Sequence, residues 1–278
     1  MAIHIVTDST CDLPQEVIGR HGIAVIPLAI HAGGKTYRDG VDLSRREFYE
    51  RLPGVRPAAT TAVPGIEVFR AAYGRAAAEG ASEILSIHIS SSLSGMVDVA
   101  RRAAEETDAV PVTVFDSRQL SLGMGFEVQT AAEEAARGRP LEHILGMLRE
   151  QIARTHVFAA LDTLEFLRRS GRMHAALAAF GTLLKIKPFL KMYDGNPTAE
   201  RVRTRGGAVQ RMVGLLKEFG PFERAALLHS AADRRAREFL ERVRPLLPAG
   251  DIWLEEINPV IGAHIGPGVI GFAGISAR

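Results

Sequence analysis

The sequence predicts an α/β protein of two domains, and three observations lead to this prediction. The chain has 278 residues, which is long enough for two packed α/β domains. Short β-rich runs alternate with amphipathic helical segments through the first half, a pattern typical of a parallel sheet with helices on both faces. A second series of strand-like and helical runs begins near Thr155. We therefore expect an N-terminal parallel-sheet α/β/α domain over residues 1–154 and a C-terminal α/β domain over residues 155–278.

In the first domain, apolar runs with β propensity mark the strands and helical periodicity marks the segments between them. The predicted strands are Ile3–Val6, Ile23–Leu28, Ile84–Ile89 and Val112–Phe115. The predicted helices are Pro64–Ala78, Gly95–Thr107, Leu120–Arg137 and Leu141–Ala153.

In the second domain the same criteria predict four strands and three helices. The strands are Val157–Leu161, Ala225–Leu228, Ile252–Ile257 and Val269–Phe272. The helices are Ala175–Leu184, Gly206–Phe219 and Ala232–Val243. The first of these helices has few polar positions, so we expect it to be buried or to line a cavity.

Composition excludes several functional classes. Hydrophobic residues make up 46% of the chain and charged residues 24%, as in ordinary folded proteins. The net charge is only +2, and Lys and Arg are interspersed with Asp and Glu, which argues against a nucleic-acid partner. Cys11 is the single cysteine, so an internal disulfide and a cysteine zinc site are excluded.

The chain ends give no indication of export or membrane insertion. The first residues lack the basic segment and long apolar core of a secretory signal. Near the C-terminus, Ile257–Ala277 carries no Asp, Glu, Lys or Arg, but five glycines, Pro259 and Pro267 interrupt it. We interpret this run as buried strands and tight turns, and we expect a cytoplasmic protein without stable membrane insertion.

Polar residues follow several predicted strands. Ser90–Gly95 lies between a strand and a helix, where Ser94 and the backbone of Gly95 would offer a hydroxyl and free N–H groups to an anion. The alternative is that Ser94 only caps the helix. Asp8 and Asp116 also follow strands, as ligand-binding residues or as simple turn formers.

Three further segments carry candidate binding groups. Thr61 precedes a predicted helix and offers a hydroxyl, although it could be an N-cap. Arg172 ends a run with three arginines, which either hold a carboxylate or form solvated surface. His264 lies among glycines that let the backbone approach a ligand, although a lone His in apolar sequence is more often a core residue.

Taken in order, these motifs resemble the DegV family over the whole length of the chain. The resemblance rests on a series of short segments: Thr7-Asp8-Ser9-Thr10, Thr61 with Pro64, Leu93-Ser94-Gly95, Asp116-Ser117, Leu164-Glu165-Phe166-Leu167, Gly171-Arg172, Lys185-Ile186-Lys187-Pro188 and Gly262-Ala263-His264-Ile265-Gly266-Pro267-Gly268. This family includes the fatty-acid-binding subunits of bacterial fatty acid kinase.

The resemblance implies two α/β domains that enclose the acyl chain of one long-chain fatty acid. It implies that Thr61, Ser94, the Gly95 backbone, Arg172 and His264 bind the carboxylate. It also implies an ATP-dependent kinase subunit as partner, which phosphorylates the bound acid to an acyl-phosphate. The carrier itself would need no cofactor, no metal and no catalytic residue.

Two other functions remain open from the sequence. Ser94 as nucleophile and His264 as base would make an acyl hydrolase, although the Gly-x-Ser-x-Gly elbow is absent. Alternatively, the chain is a regulatory interaction subunit whose lipid is incidental, with Arg203 and Arg205 as surface contacts.

Overall fold

The computed structural model describes residues 2–171 and 187–278, and all statements on structure below refer to these ranges. The described strands are β1 (Ile3–Asp8), β2 (Ala24–Ile26), β3 (Ala29–Ala32), β4 (Lys35–Arg38), β5 (Thr60–Ala62), β6 (Glu83–His88), β7 (Val112–Asp116), β8 (Thr155–Ala160), β9 (Lys187–Tyr193), β10 (Asn196–Val202), β11 (Phe222–His229), β12 (Trp253–Glu256) and β13 (Ile270–Ser276). The described helices are α1 (Gln15–His21), α2 (Arg45–Arg51), α3 (Ile66–Ala78), α4 (Met96–Glu105), α5 (Ser121–Ala136), α6 (Leu141–Ile152), α7 (Glu165–Arg169), α8 (Arg205–Phe219), α9 (Asp233–Val243) and α10 (Pro259–Ile265). The predicted helix Ala175–Leu184 lies outside the described residues.

The first sheet is parallel, with the strand order β2-β1-β6-β7. Two groups of helices pack with it: α3 contacts α4, whereas α5 contacts α1 and α6. This is the doubly covered parallel sheet that the strand–helix alternation predicts, so the predicted fold class is confirmed. The carboxyl ends of β1, β6 and β7 meet at one edge of the sheet, where the polar loops lie.

A small antiparallel sheet, β4-β3-β5, was not predicted. Its strands have only three or four residues, too few for a clear alternation of apolar and polar side chains. One signal was present: Gly33 and Gly34 join β3 to β4 with φ angles of 58° and 75°, the left-handed pair that a tight hairpin turn needs. This sheet holds Thr61 in β5, opposite Ile30 of β3.

The second sheet has six strands in the order β10-β9-β8-β13-β11-β12. Its neighbouring strands are antiparallel, except for the parallel pair β11 and β12. The sequence prediction missed β9 and β10. Pro188 and Pro197 lie within these strands, and proline lowers strand propensity because it has no N–H to donate.

The two faces of this sheet have different contents. One face carries the aromatic residues Phe158, Phe189, Phe222 and Phe272, packed under α8 and α9 in a core of their own. The rings of Phe158 and Phe272 stack with centroids 5.1 Å apart. Gly274 makes this packing possible, because a Cβ there would lie 2.5 Å from the Phe272 ring. On the other face Val157 packs against α5, the helix that also contacts β1 of the first sheet.

The C-terminal run corrects one prediction. Pro259–Ile265 forms helix α10, where the sequence analysis expected only strands and turns. The helix is specified at its start: the Asn258 side chain accepts a hydrogen bond from the Ile261 N–H, and Pro259 occupies the first turn. Within the described residues, no helix combines the length and apolar character needed to cross a bilayer.

Candidate functional site

A largely apolar cavity lies between the open face of the six-stranded sheet and the loops of the parallel sheet. Its space, including the part open to solvent, is about 1140 Å³. Its apolar lining residues include Leu28, Ile89, Leu93, Leu120, Val157, Leu190, Met192, Leu228, Ile257, Val260, Ile261 and Ile265.

The floor of the cavity is a row of side chains across four adjacent strands. Strand register places Leu190 beside Ala159, Ala159 beside Gly271, and Gly271 beside Leu228. All four residues line the cavity. The two small residues in the middle leave a trough between the two leucines.

Thr61 and His264 meet at the edge of this cavity. Thr61 Oγ1 lies 3.0 Å from His264 Nε2, although 203 positions separate the two residues. Strand β5 supplies the hydroxyl and the last turn of α10 supplies the imidazole. Both side chains are half-buried and line the cavity, so the polar groups can reach a ligand inside it.

Ser94 lines the same cavity at the start of α4. The capping alternative is wrong for this residue, because the N-cap of α4 is Gly95 and the cap has no side-chain hydrogen bond. Among the described residues, the Ser94 hydroxyl has no hydrogen-bond partner, so it is available to a ligand. Gly95 itself is exposed, one position beyond the cavity lining.

The remaining predicted binding residue, Arg172, lies outside the described residues. The run that leads to it forms α7 and ends in a left-handed turn at Gly171, with a φ of 72°. Arg169 in this helix donates to the Val55 carbonyl at 3.0 Å, which ties it to the N-terminal half of the chain.

Comparison with known proteins agrees with this arrangement along the full length. The family model described as "Uncharacterised protein, DegV family" matches residues 2–277. A DegV domain-containing protein of Streptomyces coelicolor is 37% identical over 280 residues, covering 99% of both chains. The chain belongs to the DegV family.

Two solved structures of DegV proteins resemble this one over all of both chains. One is described as fatty acid binding of a DegV family protein from Thermus thermophilus, with 36% identity and a TM-score of 0.91. The other is described as DegV, a fatty acid binding protein from Bacillus subtilis, with 32% identity and a TM-score of 0.91.

Two other hydroxyl groups at the cavity of this DegV protein donate hydrogen bonds to carboxylates. Thr10 Oγ1 donates to Asp8, and Ser121 Oγ donates to Asp12. Both acceptors are almost completely buried. Thr10 and Ser121 line the cavity without offering it a free donor. The other polar lining residues are Thr61, Ser94, His264 and Lys191, and the Lys191 ammonium pairs with Glu200. The sequence analysis named Thr10 only as part of a family motif and did not identify Ser121.

The two Asp residues that follow strands are structural. Asp8 accepts hydrogen bonds from the Thr10 and Ile89 N–H groups and lies 3.0 Å from His88 Nδ1. Asp116 accepts from Ser91 and from the Arg118 N–H. Among the described residues, these carboxylates join the loops to each other and do not line the apolar cavity.

The geometry does not support a serine hydrolase in this family member. His264 Nε2 faces Thr61, and within the described residues no hydrogen bond joins it to Ser94. Hydrogen bonds do join Asp8 to His88 and His88 to Ser86, which is the carboxylate–histidine–serine order of a catalytic triad. However, all three residues are fully buried, and Tyr73 also bonds the Ser86 hydroxyl at 2.9 Å, so no substrate can reach it.

The turn between β9 and β10 is hydrogen-bonded to two loops of the parallel-sheet domain. Ser92 Oγ donates to the Gly195 carbonyl at 2.6 Å, and Arg118 donates to the Asp194 carbonyl at 2.7 Å. Gly195 has a φ of 81°, and a Cβ there would lie 2.7 Å from Arg118 Nε. The serine-rich loop before α4 therefore holds the hairpin as well as lining the cavity.

Proposed function

We propose that this protein binds one long-chain fatty acid in the apolar cavity and presents its carboxylate to an ATP-dependent kinase subunit, which forms an acyl-phosphate. The observation that carries the proposal is the combination of an apolar trough with a small group of polar residues at one edge, formed by Thr61, Ser94 and His264. The two similar structures named above are described as fatty acid binding, and their description supports the same ligand class here.

The free energy gained by burying an acyl chain is large enough to bind this class of ligand. Burial of a methylene contributes about 0.8 kcal/mol, so a long acyl chain supplies roughly 10 kcal/mol before the costs of association. A carboxylate opposes burial unless hydrogen bonds and a cation meet its charge. In the proposal Thr61, Ser94, the Gly95 backbone and His264 supply the donors, and Arg172 supplies the cation.

The two proposed domains contribute different parts of the binding site. Residues 1–154 contribute the hydroxyls of Thr61 and Ser94, and residues 155–278 contribute the sheet that covers the acyl chain. His264 belongs to the second domain but contacts the first. The protein itself contributes no catalytic group in this proposal, and it acts in the cytoplasm, where the partner has ATP.

Arg205, which the sequence analysis considered as a partner contact, is already paired within the chain. Its guanidinium donates two hydrogen bonds to Asp162, at 2.8 and 2.7 Å. Arg203 is exposed. A contact with the kinase subunit would therefore use Arg203 more readily than Arg205.

Native mass spectrometry followed by lipid extraction tests the ligand class. We expect about one fatty acid per chain, and a chain that stays empty after incubation with varied fatty acids would contradict the proposal. Ser94→Ala should weaken acid binding and kinase-dependent phosphorylation while the fold is kept. Ser91→Ala is the matched control, because Ser91 lies in the same loop but is exposed and bonded to Asp116.

The presentation step needs its own assay. The loaded protein is incubated with ATP and a bacterial fatty acid kinase subunit, and the acyl-phosphate is trapped with hydroxylamine. Formation of the hydroxamate only when all three components are present supports the proposal. Lipid binding without any acyl-phosphate would retain the carrier function and reject the kinase partner.

A further inference from the structure

Helix α10 belongs to the C-terminal half of the chain but packs on the N-terminal half. It contacts α2, β3, β5 and the 3₁₀ turn Ser9–Cys11 of the first domain, as well as α7 of the second. The helix carries His264 and three apolar residues of the cavity lining. The placement of α10 on the first domain therefore sets the distance between His264 and Thr61 of β5.

The start of α10 is held by a buried carboxylate. Asp12, which is 1% exposed, accepts hydrogen bonds from the backbone and the side chain of Asn258, at 2.9 and 3.1 Å. The Asn258 side chain in turn accepts from the Ile261 N–H at 2.9 Å and so caps the helix. The residue that caps α10 is thus itself fixed by the N-terminal domain.

Two further side chains of the first domain hold the residues just before this cap. Tyr49 Oη donates to the Ile257 carbonyl at 2.9 Å, and Arg45 donates to the Glu256 carbonyl. The Tyr49 ring also lies against α10 at Gly262, where a Cβ would be 2.8 Å from Tyr49 Cζ. Three consecutive residues ahead of α10 are therefore tied to the N-terminal domain.

The Asp12 carboxylate is also fixed from its own side of the contact. It accepts from Ser121 Oγ at 2.5 Å, and Arg45 Nη2 lies 3.3 Å away. Asp12 and Ser121 both have a left-handed backbone, with φ angles of 54° and 51°, which residues other than glycine seldom adopt. Such backbone persists where surrounding contacts hold it, often at binding sites.

We propose that Asp12 and Tyr49 are positioning residues for His264, on which they act through the start of α10. They hold the helix so that the imidazole and the Thr61 hydroxyl meet a carboxylate together; this role rests on the proposed fatty-acid function. A hydrogen bond depends on distance and angle, whereas apolar burial depends on area. A small displacement of α10 therefore weakens recognition of the head group far more than binding of the acyl chain.

The experiment compares dodecanoate with dodecanol, which have the same hydrocarbon chain, on the delipidated full-length protein. Calorimetric titration gives both affinities, and their ratio measures head-group recognition. Asp12→Gly removes the carboxylate, and glycine adopts the left-handed backbone without strain. We expect dodecanoate affinity to fall about tenfold and dodecanol affinity to change by no more than about twofold. Asp12→Asn should restore most of the acid affinity, because its amide oxygen can still accept from Asn258.

A second variant removes a single atom, in case Asp12→Gly does not fold. Tyr49→Phe deletes the hydroxyl that donates to the Ile257 carbonyl but keeps the ring against Gly262. The ratio of acid affinity to alcohol affinity should fall about threefold. Leu215→Ala is the control for lost stability, because Leu215 is buried in the separate core under α8, and its ratio should equal that of the wild type.

The possible outcomes distinguish the positioning role from the proposed function. If the wild type prefers dodecanoate and both variants keep the same preference, the positioning role is overturned and the carboxylate site stands. An equal fall of both affinities in the variants would also overturn it, since the two residues would then support the cavity as a whole. Equal affinity of the wild type for the two ligands would reject the carboxylate site itself, and the positioning role with it.

Discussion

The two faces of the six-stranded sheet are built from the same strands but have opposite functions. On β8 and β13, alternate residues point to opposite sides. One side carries Phe158 and Phe272, whose rings stack in a filled core. The other side carries Ala159 and Gly271, which leave room for the cavity. The two faces share strand backbone and register, but one carries large side chains packed under α8 and α9, whereas the other carries small side chains at the cavity.

This difference separates stability from binding within one sheet. Large residues on the filled face should contribute to the free energy of unfolding, whereas small residues on the open face should contribute to ligand affinity. Two substitutions test whether stability and ligand affinity are independent. One replaces a large residue on the filled face with a small one, and the other replaces a small residue on the open face with a large one. The four predictions below run from the largest expected effect to the smallest.

Opening the filled face should reduce stability the most. Phe272→Ala removes a fully buried ring that packs on Phe158 and Phe222, and we expect a loss of about 3–5 kcal/mol in the free energy of unfolding. Urea denaturation measures it. Tyr193→Ala is the control, because this aromatic residue is 61% exposed and should change stability by no more than about 0.5 kcal/mol. Equal losses in both variants would refute the assignment of the core.

Filling the open face should mainly reduce binding. Ala159→Leu places three more carbon atoms in the trough, and excluding three or four methylenes costs about 3 kcal/mol, or about 100-fold in affinity. Titration with a long-chain acid measures this loss, which should be smaller for a shorter acid. Ala71→Leu on the exposed side of α3 is the control. If Ala159→Leu bound long acids normally, the acyl chain would not lie in this trough.

Removing one polar group at the cavity edge should have a moderate effect. Thr61→Val keeps the shape but loses a hydroxyl, and we expect about tenfold weaker acid binding, or about 1.4 kcal/mol. The adjacent Thr60→Val is the control, because Thr60 belongs to the same strand but is exposed. Equal affinities for the two variants would show that the Thr61 hydroxyl does not contact the carboxylate.

The smallest effect concerns pH. Burial lowers the pKa of His156 from 6.5 to about 4, and its ring stacks on Phe219 with centroids 4.0 Å apart. The unfolded chain therefore takes up a proton before the folded one does, and stability should fall as pH decreases from about 6.5 towards about 4. We expect a loss of about 1 kcal/mol from this residue at about pH 6. His156→Gln should show a shallower dependence in urea denaturation, and an unchanged slope would contradict the prediction.

The sequence predicts the parallel sheet well because its signals are local. The predicted strand Ile84–Ile89 and the predicted helix Leu120–Arg137 each differ from the observed element by one residue at either end. The site residues Thr61, Ser94 and His264 could be selected because they are polar groups beside strand or helix ends. Their convergence on one cavity came from the family resemblance, since no local pattern specifies a contact across 203 positions.

The open face could not be predicted from local patterns. The row Leu190, Ala159, Gly271 and Leu228 exists only when four strands take one particular register. Two of these strands lie far apart in the chain, and β9 was itself missed because of Pro188.

The contact between Thr61 and His264 also has a consequence for folding kinetics. The two residues are 203 positions apart, so the chain must close a very long loop before the hydroxyl and the imidazole can meet. Contacts between residues far apart in the sequence form slowly, and we expect this one to form late in folding. A ligand that needs both residues binds the folded chain and not the unfolded one, so it stabilises the fold by an amount that rises with the logarithm of ligand concentration over its dissociation constant.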